Sequence, residues 1–576
     1  MATVTAHTDK QAERPVELLN EIYGPEAGEK IRGRYDALIL RHQQRTQLAN
    51  DHLRSTDSWI ISYPDHISGH QATPLKVLDE FVHKRLRPFI TGVHILPCFP
   101  SSSDEGFSVK DYLTIDERYG TWGDIENLAS NGNMMLDAVV NHASTQGIWF
   151  EQWQAGTPPF DEFFRTEDPD ADLSGVVRAR QHPLLTRFET AQGERWVWTT
   201  FSKDQADLDY RNPEVALAMA GVLLTYAQHG ATAIRLDAVG FLWKEAGTSS
   251  IHLENTHLVV QLLRATLDAT YPDVLLVSET NVPHAENISY LGSGSTREAD
   301  MVYQFPLPPL TLHAFATEDA TALKTWLGTI DDIPPATTYF NFLASHDGVG
   351  LRPLEGLVDE SDVKILVDVC VTNGGLVTYR SDDEGAAVAY ELNGTWFDLI
   401  RGTSVGAEAL RRHIASHGLM LALRGEPAIY VQALLAEENA VDLAASTSQP
   451  RSMNRRRFTI DDIDRRLADP DSNASVSLGH LVEMLGWRRE SDAFFPESDQ
   501  RILSTSSHIV GIERTARSGT IARVYINVSG EHEELDTGPY SDLRGFNISE
   551  ISGGVELGPY GIAWMTLTRS ATPRES

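Results

Sequence analysis

The chain has 576 residues, with 48 Lys and Arg against 81 Asp and Glu, a net charge of −33 at pH 7. That balance excludes the cationic footprint a nucleic-acid partner needs and argues against binding an anionic membrane surface. Apolar residues make up 41% and charged residues 22%, which suits a folded globular protein rather than a disordered chain.

Only Cys98 and Cys370 are present, far apart and each within an apolar stretch. A disulfide framework and a Cys-based zinc site are thereby excluded. The opening MATVTAHTDKQAERP has no apolar core, so no secretory leader is expected. No run of ~18 apolar residues occurs, so no membrane span is expected either. The expectation is a cytoplasmic protein.

Residues 1–53 read as a helical extension. Ile31, Tyr35 and Leu38 recur at helical spacing, and Gly24-Pro25 punctuates the segment. From Ser58 the rhythm changes to short apolar runs separated by helical patterns. The predicted strands are SWIISYPDHI (from Ser58), GVHILPCFP (Gly92), NMMLDAVVNH (Asn133), ATAIRLDAVG (Ala231), VLLVSETN (Val274), MVYQFP (Met301), TYFNFLASHD (Thr338) and EPAIYVQ (Glu426). Helices are predicted over Pro74–Leu86, Pro213–Gln228, His252–Thr270, Glu318–Leu327 and Glu408–Leu423. In the third, Val259, Leu262, Leu263 and Leu267 form an apolar stripe. Eight alternating units imply an α/β fold, a parallel (β/α)8 TIM barrel over residues 54–497. From rhythm alone, a doubly wound sheet remains the alternative.

Two connections are too long to be plain loops, 143–209 and 348–403, and read as insertions. Insertions after barrel strands lie on the catalytic face. After Phe495, RVYINV (from Arg523) and GIAWMTLT (from Gly561) alternate between turn signals, so residues 498–576 read as an antiparallel β domain.

Polar residues collect at the C-terminal ends of the predicted strands: Asn141 and His142, Arg235 and Asp237, Glu279, then His346 and Asp347. A single acid there is ordinarily a helix cap. Several in succession point to a site, and a buried Arg-x-Asp needs a partner or a role. The chemistry suggested is a carboxylate pair for glycosyl transfer. Asp237 would attack, kept charged by Arg235; Glu279 would be the acid, its pKa raised; Asp347 would stabilise the transition state.

DAVVNH (from Asp137), IRLDAV (Ile234), VSETN (Val277) and FLASHD (Phe342) resemble, in order and strand placement, the four motif regions of glycoside hydrolase family 13, the α-amylase superfamily. The resemblance implies Asp237 as nucleophile, Glu279 as general acid/base, Asp347 as transition-state stabiliser, and retention through a covalent glucosyl-enzyme. GVHILPCFPSSSDEGFSVKDY, RLDAVGFLWKEAGTSS, FPLPPL and SHDGVGL are similar to the sucrose phosphorylase subfamily. That likeness implies a glucose site of Asp104, Phe107, His142, Phe201, Gln205, Arg235, His346 and Arg455, with Asp104 and Arg455 clamping the far hydroxyls. The N-terminal extension with IYG at Ile22, ETNVPHAENISYLG (from Glu279) and YELNGTWFD (from Tyr390) resemble the glucosylglycerate phosphorylases within that subfamily. Partners implied are a small α-glucoside and phosphate; a homodimer is left open.

Phosphate and glycerate are both anions, so an acidic chain needs a local cationic patch. Arg178 and Arg180 lie in the first insertion, where the resemblance places phosphate ligands, with Tyr390 as a further candidate. Arg451, Arg455, Arg456 and Arg457 form a basic cluster, and arginine suits bidentate anion binding. For Arg456 and Arg457 a solvated face paired with acids is an equal reading. No metal-ligand spacing and no phosphate-loop motif occurs, so no metal and no cofactor beyond inorganic phosphate is expected. Glycerol, fructose or fructose 6-phosphate as acceptor, a hydrolase, and a barrel that has lost catalysis are the competing readings.

Overall fold

A computed structural model describes residues 14–42, 57–69, 71–180, 182–293, 296–330, 333–381 and 387–567. Of the expected helical extension, residues 1–13 and 43–53 lie outside the described residues, as do 568–576 of the C-terminal segment.

The eight predicted runs are the eight strands of one closed parallel barrel. They are β1 (Trp59–Ser62), β2 (Gly92–Ile95), β3 (Asn133–Val139), β4 (Ala233–Asp237), β5 (Leu275–Ser278), β6 (Met301–Tyr303), β7 (Thr338–Phe342) and β8 (Glu426–Tyr430). Each pairs with its neighbours in sequence, and β8 closes on β1 with Ile61 opposite Tyr430. Both faces of such strands are covered, which is why they read as continuous apolar runs rather than alternating ones.

Helices fill the connections where their signals stood. Pro213–Gln228 begins on Asn212, whose side chain accepts from the Glu214 amide, with Pro213 in the first turn. Glu254–Thr270 buries Val259, Leu262, Leu263 and Leu267, as predicted. Two helix starts shift for a local reason. His252 (φ 55°) and Glu318 (φ 56°) adopt the left-handed conformation and cannot begin a helix. The helices therefore start at Glu254 and Thr321, and Glu318 instead caps Leu307–Thr317.

The N-terminal helix Pro25–His42 packs on the barrel's outer helices, with Ile31 and Tyr35 buried and Tyr35 Oη 2.6 Å from Thr266 Oγ1. In the first insertion, Gln205–Asp207 runs antiparallel to His142–Ser144 and returns the chain to the strand end it left. The second insertion folds as a three-stranded sheet of Val349–Gly350, Ala387–Asn393 and Leu376–Ser381. At the C-terminus, Ile521–Asn527 and Gly554–Thr566 pair antiparallel within a six-stranded sheet, Val524 opposite Trp564. Trp564 docks on Phe494 (ring centroids 4.6 Å apart), and Arg412 of a barrel helix donates to Tyr560 Oη at 2.6 Å.

Candidate active site

Asp237 closes β4, Glu279 follows β5, and Asp347 lies in the loop after β7, all at the C-terminal mouth of the barrel. They line one cavity of about 840 Å³ together with Asp104, Phe107, His142, Arg178, Arg180, Phe201, Gln205, His346 and Tyr390. Arg235 and Arg455, also expected at the site, are buried directly behind this lining.

The backbone turns sharply where chemistry is expected. Ala238, immediately after Asp237, has φ 51°, and its amide donates to Glu279 Oε2 at 2.8 Å. That bond ties the ends of β4 and β5 together. On the lining contributed by SSSDEGF, Asp104 (φ 50°) and Glu105 (φ 48°) are both left-handed. Non-glycine residues held there cost of order 1–3 kcal/mol each and collect at functional sites. The turn sends Asp104 Oδ2 to Gln205 Nε2 (3.2 Å) and Glu105 to Arg457 (2.9 Å).

Beneath the carboxylates lies one guanidinium. Arg235 donates to Asp237 Oδ1 at 3.0 Å, pairs with Asp137, and stands 3.9 Å from Glu279 Oε2. Its other neighbours are the Phe107 and Tyr303 rings. Asp137 is further held by His94 Nε2 at 2.8 Å. Burial raises both Asp237 and Glu279, and the neighbouring carboxylates add to it. Arg235 opposes the rise without cancelling it, which amends the expectation that it alone keeps Asp237 charged. The two carboxyls retain a proton as a pair. Arg235 lies nearer to Asp237, at 3.0 Å, than to Glu279, at 3.9 Å.

Asp347 behaves differently. Burial works against its charge, but the surrounding groups, Arg451 first with Nη1 2.6 Å from Oδ1 and then His346, Arg455 and Arg235, together hold this carboxyl below the usual range. Arg451 also grips Glu391 with two bonds, 2.9 and 3.3 Å.

Burial keeps His142 and His346 neutral by pushing both below the ordinary imidazole value. His142 Nε2 donates to the Phe107 carbonyl at 3.0 Å, leaving Nδ1 to accept from Asn141. His346 stacks on Phe107 at 4.6 Å. Arg455 donates from Nε to the His346 carbonyl at 2.9 Å, and its ion-pair partner is Glu105 at 4.0 Å rather than Asp104. From the first insertion, Arg180 lies 5.8 Å from the Phe201 ring and 5.9 Å from the Tyr390 ring. Arg178 donates to the His182 carbonyl. Neither has an acidic partner among the described residues.

Residues 88–412 match the family model for the alpha amylase catalytic domain. The chain belongs to the α-amylase family. Within that family it is 39% identical over 564 residues to glucosylglycerate phosphorylase of Spirochaeta thermophila, covering 95% of each chain. It is 42% identical to the protein of the same name from Allomeiothermus silvanus, over 88% of this chain and 91% of that one. The solved structure of sucrose 6F-phosphate phosphorylase from Thermoanaerobacter thermosaccharolyticum superposes with a TM-score of 0.72 at 24% identity, over 84% of this chain and 96% of that one.

Several lining residues of this α-amylase-family site carried no assigned role at the sequence level: His252, Asn281, Arg352, Arg380, Glu391 and Arg451. Arg451 stood only as part of a basic cluster. The others sit in insertions or after strand ends, where no periodicity marks them. Arg456 and Arg457 pair with Glu437 and Glu105, each at 2.9 Å, and are not part of the cavity lining. For them the reading as a face paired with acids is the one that applies.

Proposed function

We propose that this protein is a retaining α-glucoside phosphorylase, converting 2-O-α-glucosyl-D-glycerate and phosphate into α-D-glucose 1-phosphate and D-glycerate. The observation that carries the reading is the charge pattern of one cavity. Three carboxylates at strand ends share it with two arginines, Arg178 and Arg180, that have no acidic partner among the described residues. The identity to glucosylglycerate phosphorylases along nearly the whole chain supports the choice of substrate.

Asp237 attacks the anomeric carbon while Glu279 delivers its proton to the glycosidic oxygen, and glycerate leaves. A phosphate oxygen then attacks the glucosyl-enzyme from the vacated face, and Glu279 takes the proton back. Two inversions retain the α configuration. Asp347, kept ionised by Arg451, stabilises the positive charge that develops at the sugar ring. His142, Gln205, Asp104 and His346 supply the hydroxyl contacts of glucose, with Phe107 and Phe201 as its apolar walls. Arg455 is a positioning residue behind His346. Phosphate is a co-substrate held by Arg178 and Arg180, with Tyr390 bracing the latter, and the chemistry asks for no other cofactor. A cytoplasmic location and a homodimer belong to the same proposal. Among the described residues, no helix is long and apolar enough to cross a membrane.

The test is release of α-glucose 1-phosphate from glucosylglycerate, glucosylglycerol, sucrose and sucrose 6′-phosphate, with and without phosphate. Phosphate-dependent release from glucosylglycerate is expected. Release from another donor alone replaces the acceptor, and free glucose without sugar phosphate makes the protein a hydrolase. Asp237→Asn should lower turnover by roughly 10⁴-fold or more while circular dichroism stays unchanged.

A further inference from the structure

The segments that leave the three carboxylates meet again on one part of the cavity wall. Gly240 follows Asp237, Asn281 follows Glu279, and Gly350 and Arg352 follow Asp347. A Cβ on Gly240 would stand 3.1 Å from His252 Cε1, and one on Gly350 would stand 2.5 Å from Asn281 Nδ2. Glycine at these two positions is what lets the imidazole and the amide stand so close to the reacting carboxylates. His252 is held there in a left-handed backbone, with Nδ1 2.8 Å from Tyr290 Oη and Nε2 3.3 Å from Glu286.

Arg352 completes this wall. Its Nη2 lies 3.7 Å from Glu286 Oε2, close enough for attraction and too far for a hydrogen bond. The other arginines of the second half of the chain that line the cavity are committed: Arg380 donates to Glu355 at 2.9 Å, and Arg451 spans Asp347 and Glu391. The Arg352 guanidinium donates no hydrogen bond among the described residues. On the same cavity lining, Asn281 Oδ1 is buried with no donor among the described residues. A guanidinium without a hydrogen-bond acceptor and an unsatisfied amide oxygen on one cavity lining are complementary to a carboxylate carrying a neighbouring hydroxyl.

We infer that Arg352 binds the carboxylate of the departing glycerate, with Asn281 accepting one of its hydroxyls and Glu286 holding the guanidinium in place. This subsite is separate from the arginine pair of the first insertion, so the two anions of the reaction are held by different residues. The inference rests on the proposed function and adds the basis of acceptor choice. A neutral acceptor such as glycerol offers the Arg352 N–H groups no carboxylate to accept from them, so the wall selects an acid by what it fails to satisfy in other ligands.

The test is steady-state kinetics of the wild type, Arg352→Ala and Arg352→Lys, with glucosylglycerate and phosphate varied separately and glucosylglycerol as second donor. Arg352→Ala is expected to raise KM for glucosylglycerate about 10- to 100-fold, the range of a hydrogen-bonded charge contact. KM for phosphate should stay near the wild-type value, and turnover of glucosylglycerol should not fall. Arg352→Lys should lie between, and decides the matter if the alanine variant melts early. Equal rises for phosphate and glucosylglycerate, or no rise for glucosylglycerate, overturn the inference and leave the proposed function standing. A wild type that releases glucose 1-phosphate only from another donor overturns the proposed function, and the assignment of glycerate to Arg352 with it.

Discussion

Arg451 Nη1 lies 2.6 Å from Asp347 Oδ1, and the same guanidinium is clamped by Glu391, so the charge of Asp347 leans on a relay anchored in the second insertion. Removing Arg451 leaves buried Glu391 without a cation among the described residues and takes the nearest one from Asp347, which costs about 3–5 kcal/mol. The pKa of Asp347 is depressed in the folded protein, so its ionisation contributes stability at neutral pH that is lost as pH falls through that depressed value. Arg451→Ala should therefore lower the melting temperature at neutral pH. It should also move the acid limb of kcat/KM to higher pH. A pH–rate profile with an unmoved acid limb counts against the relay.

Glu279 must carry its proton to act as the acid, and burial raises its pKa. Activity should persist above the ordinary carboxylate range and fall as pH rises through the raised value. In Glu279→Gln, donors with a poor leaving group should lose activity, whereas one with an activated leaving group, such as an aryl glucoside, should keep its first step. The alkaline limb of that step should disappear from its pH profile.

Arg178 and Arg180 lie in the same cavity as the three carboxylates without acids of their own among the described residues. Arg178→Ala should raise the apparent KM for phosphate more than that for the glucoside, by roughly 10-fold or more for a lost charged contact. Isotope exchange between glucose 1-phosphate and free phosphate reads the same step without the acceptor. Equal effects on the two KM values would remove Arg178 from phosphate binding.

Far from the cavity, Glu426 on β8 is buried, with Oε2 accepting from Trp59 Nε1 at 2.6 Å and Oε1 without a donor among the described residues. Burial first, and then Asp57, push its pKa up to about 8. Between about 4.5 and 8 the folded state holds a proton that the unfolded chain has released, so stability falls as pH rises across that window. Glu426→Gln keeps the Trp59 bond and has no proton to lose. Denaturant titrations at pH 5 and pH 8 should show the wild type losing more stability than the variant over that interval.

The barrel was legible because its strands are short apolar runs closed by polar residues, a pattern set by burial on both faces. Asp237, Glu279 and Asp347 were legible for the same reason, as charged residues where apolar runs stop. His252 and Glu318 misled the helix boundaries because a left-handed non-glycine residue leaves no mark in composition. Arg352, Arg380 and Arg451 had no readable role, since they reach the cavity from two short helical turns and a strand of the second insertion's sheet, whose placement no spacing in the sequence announces. The preference of Arg455 for Glu105 over Asp104 depends on two consecutive left-handed residues, which spacing cannot announce.

Tyr390 and Glu391 are consecutive on the strand Ala387–Asn393, and both border the cavity. The first braces Arg180 and the second anchors Arg451. The brace on Arg180 and the anchor of the cation beside Asp347 are thus threaded on one stretch of backbone. A chimera that borrows this segment from a relative would change more than the brace on Arg180, because it would also withdraw the anchor beneath Asp347. Retargeting by segment exchange should yield sluggish enzymes unless Glu391 travels unchanged with the graft, whereas point changes elsewhere on the wall are free of that penalty.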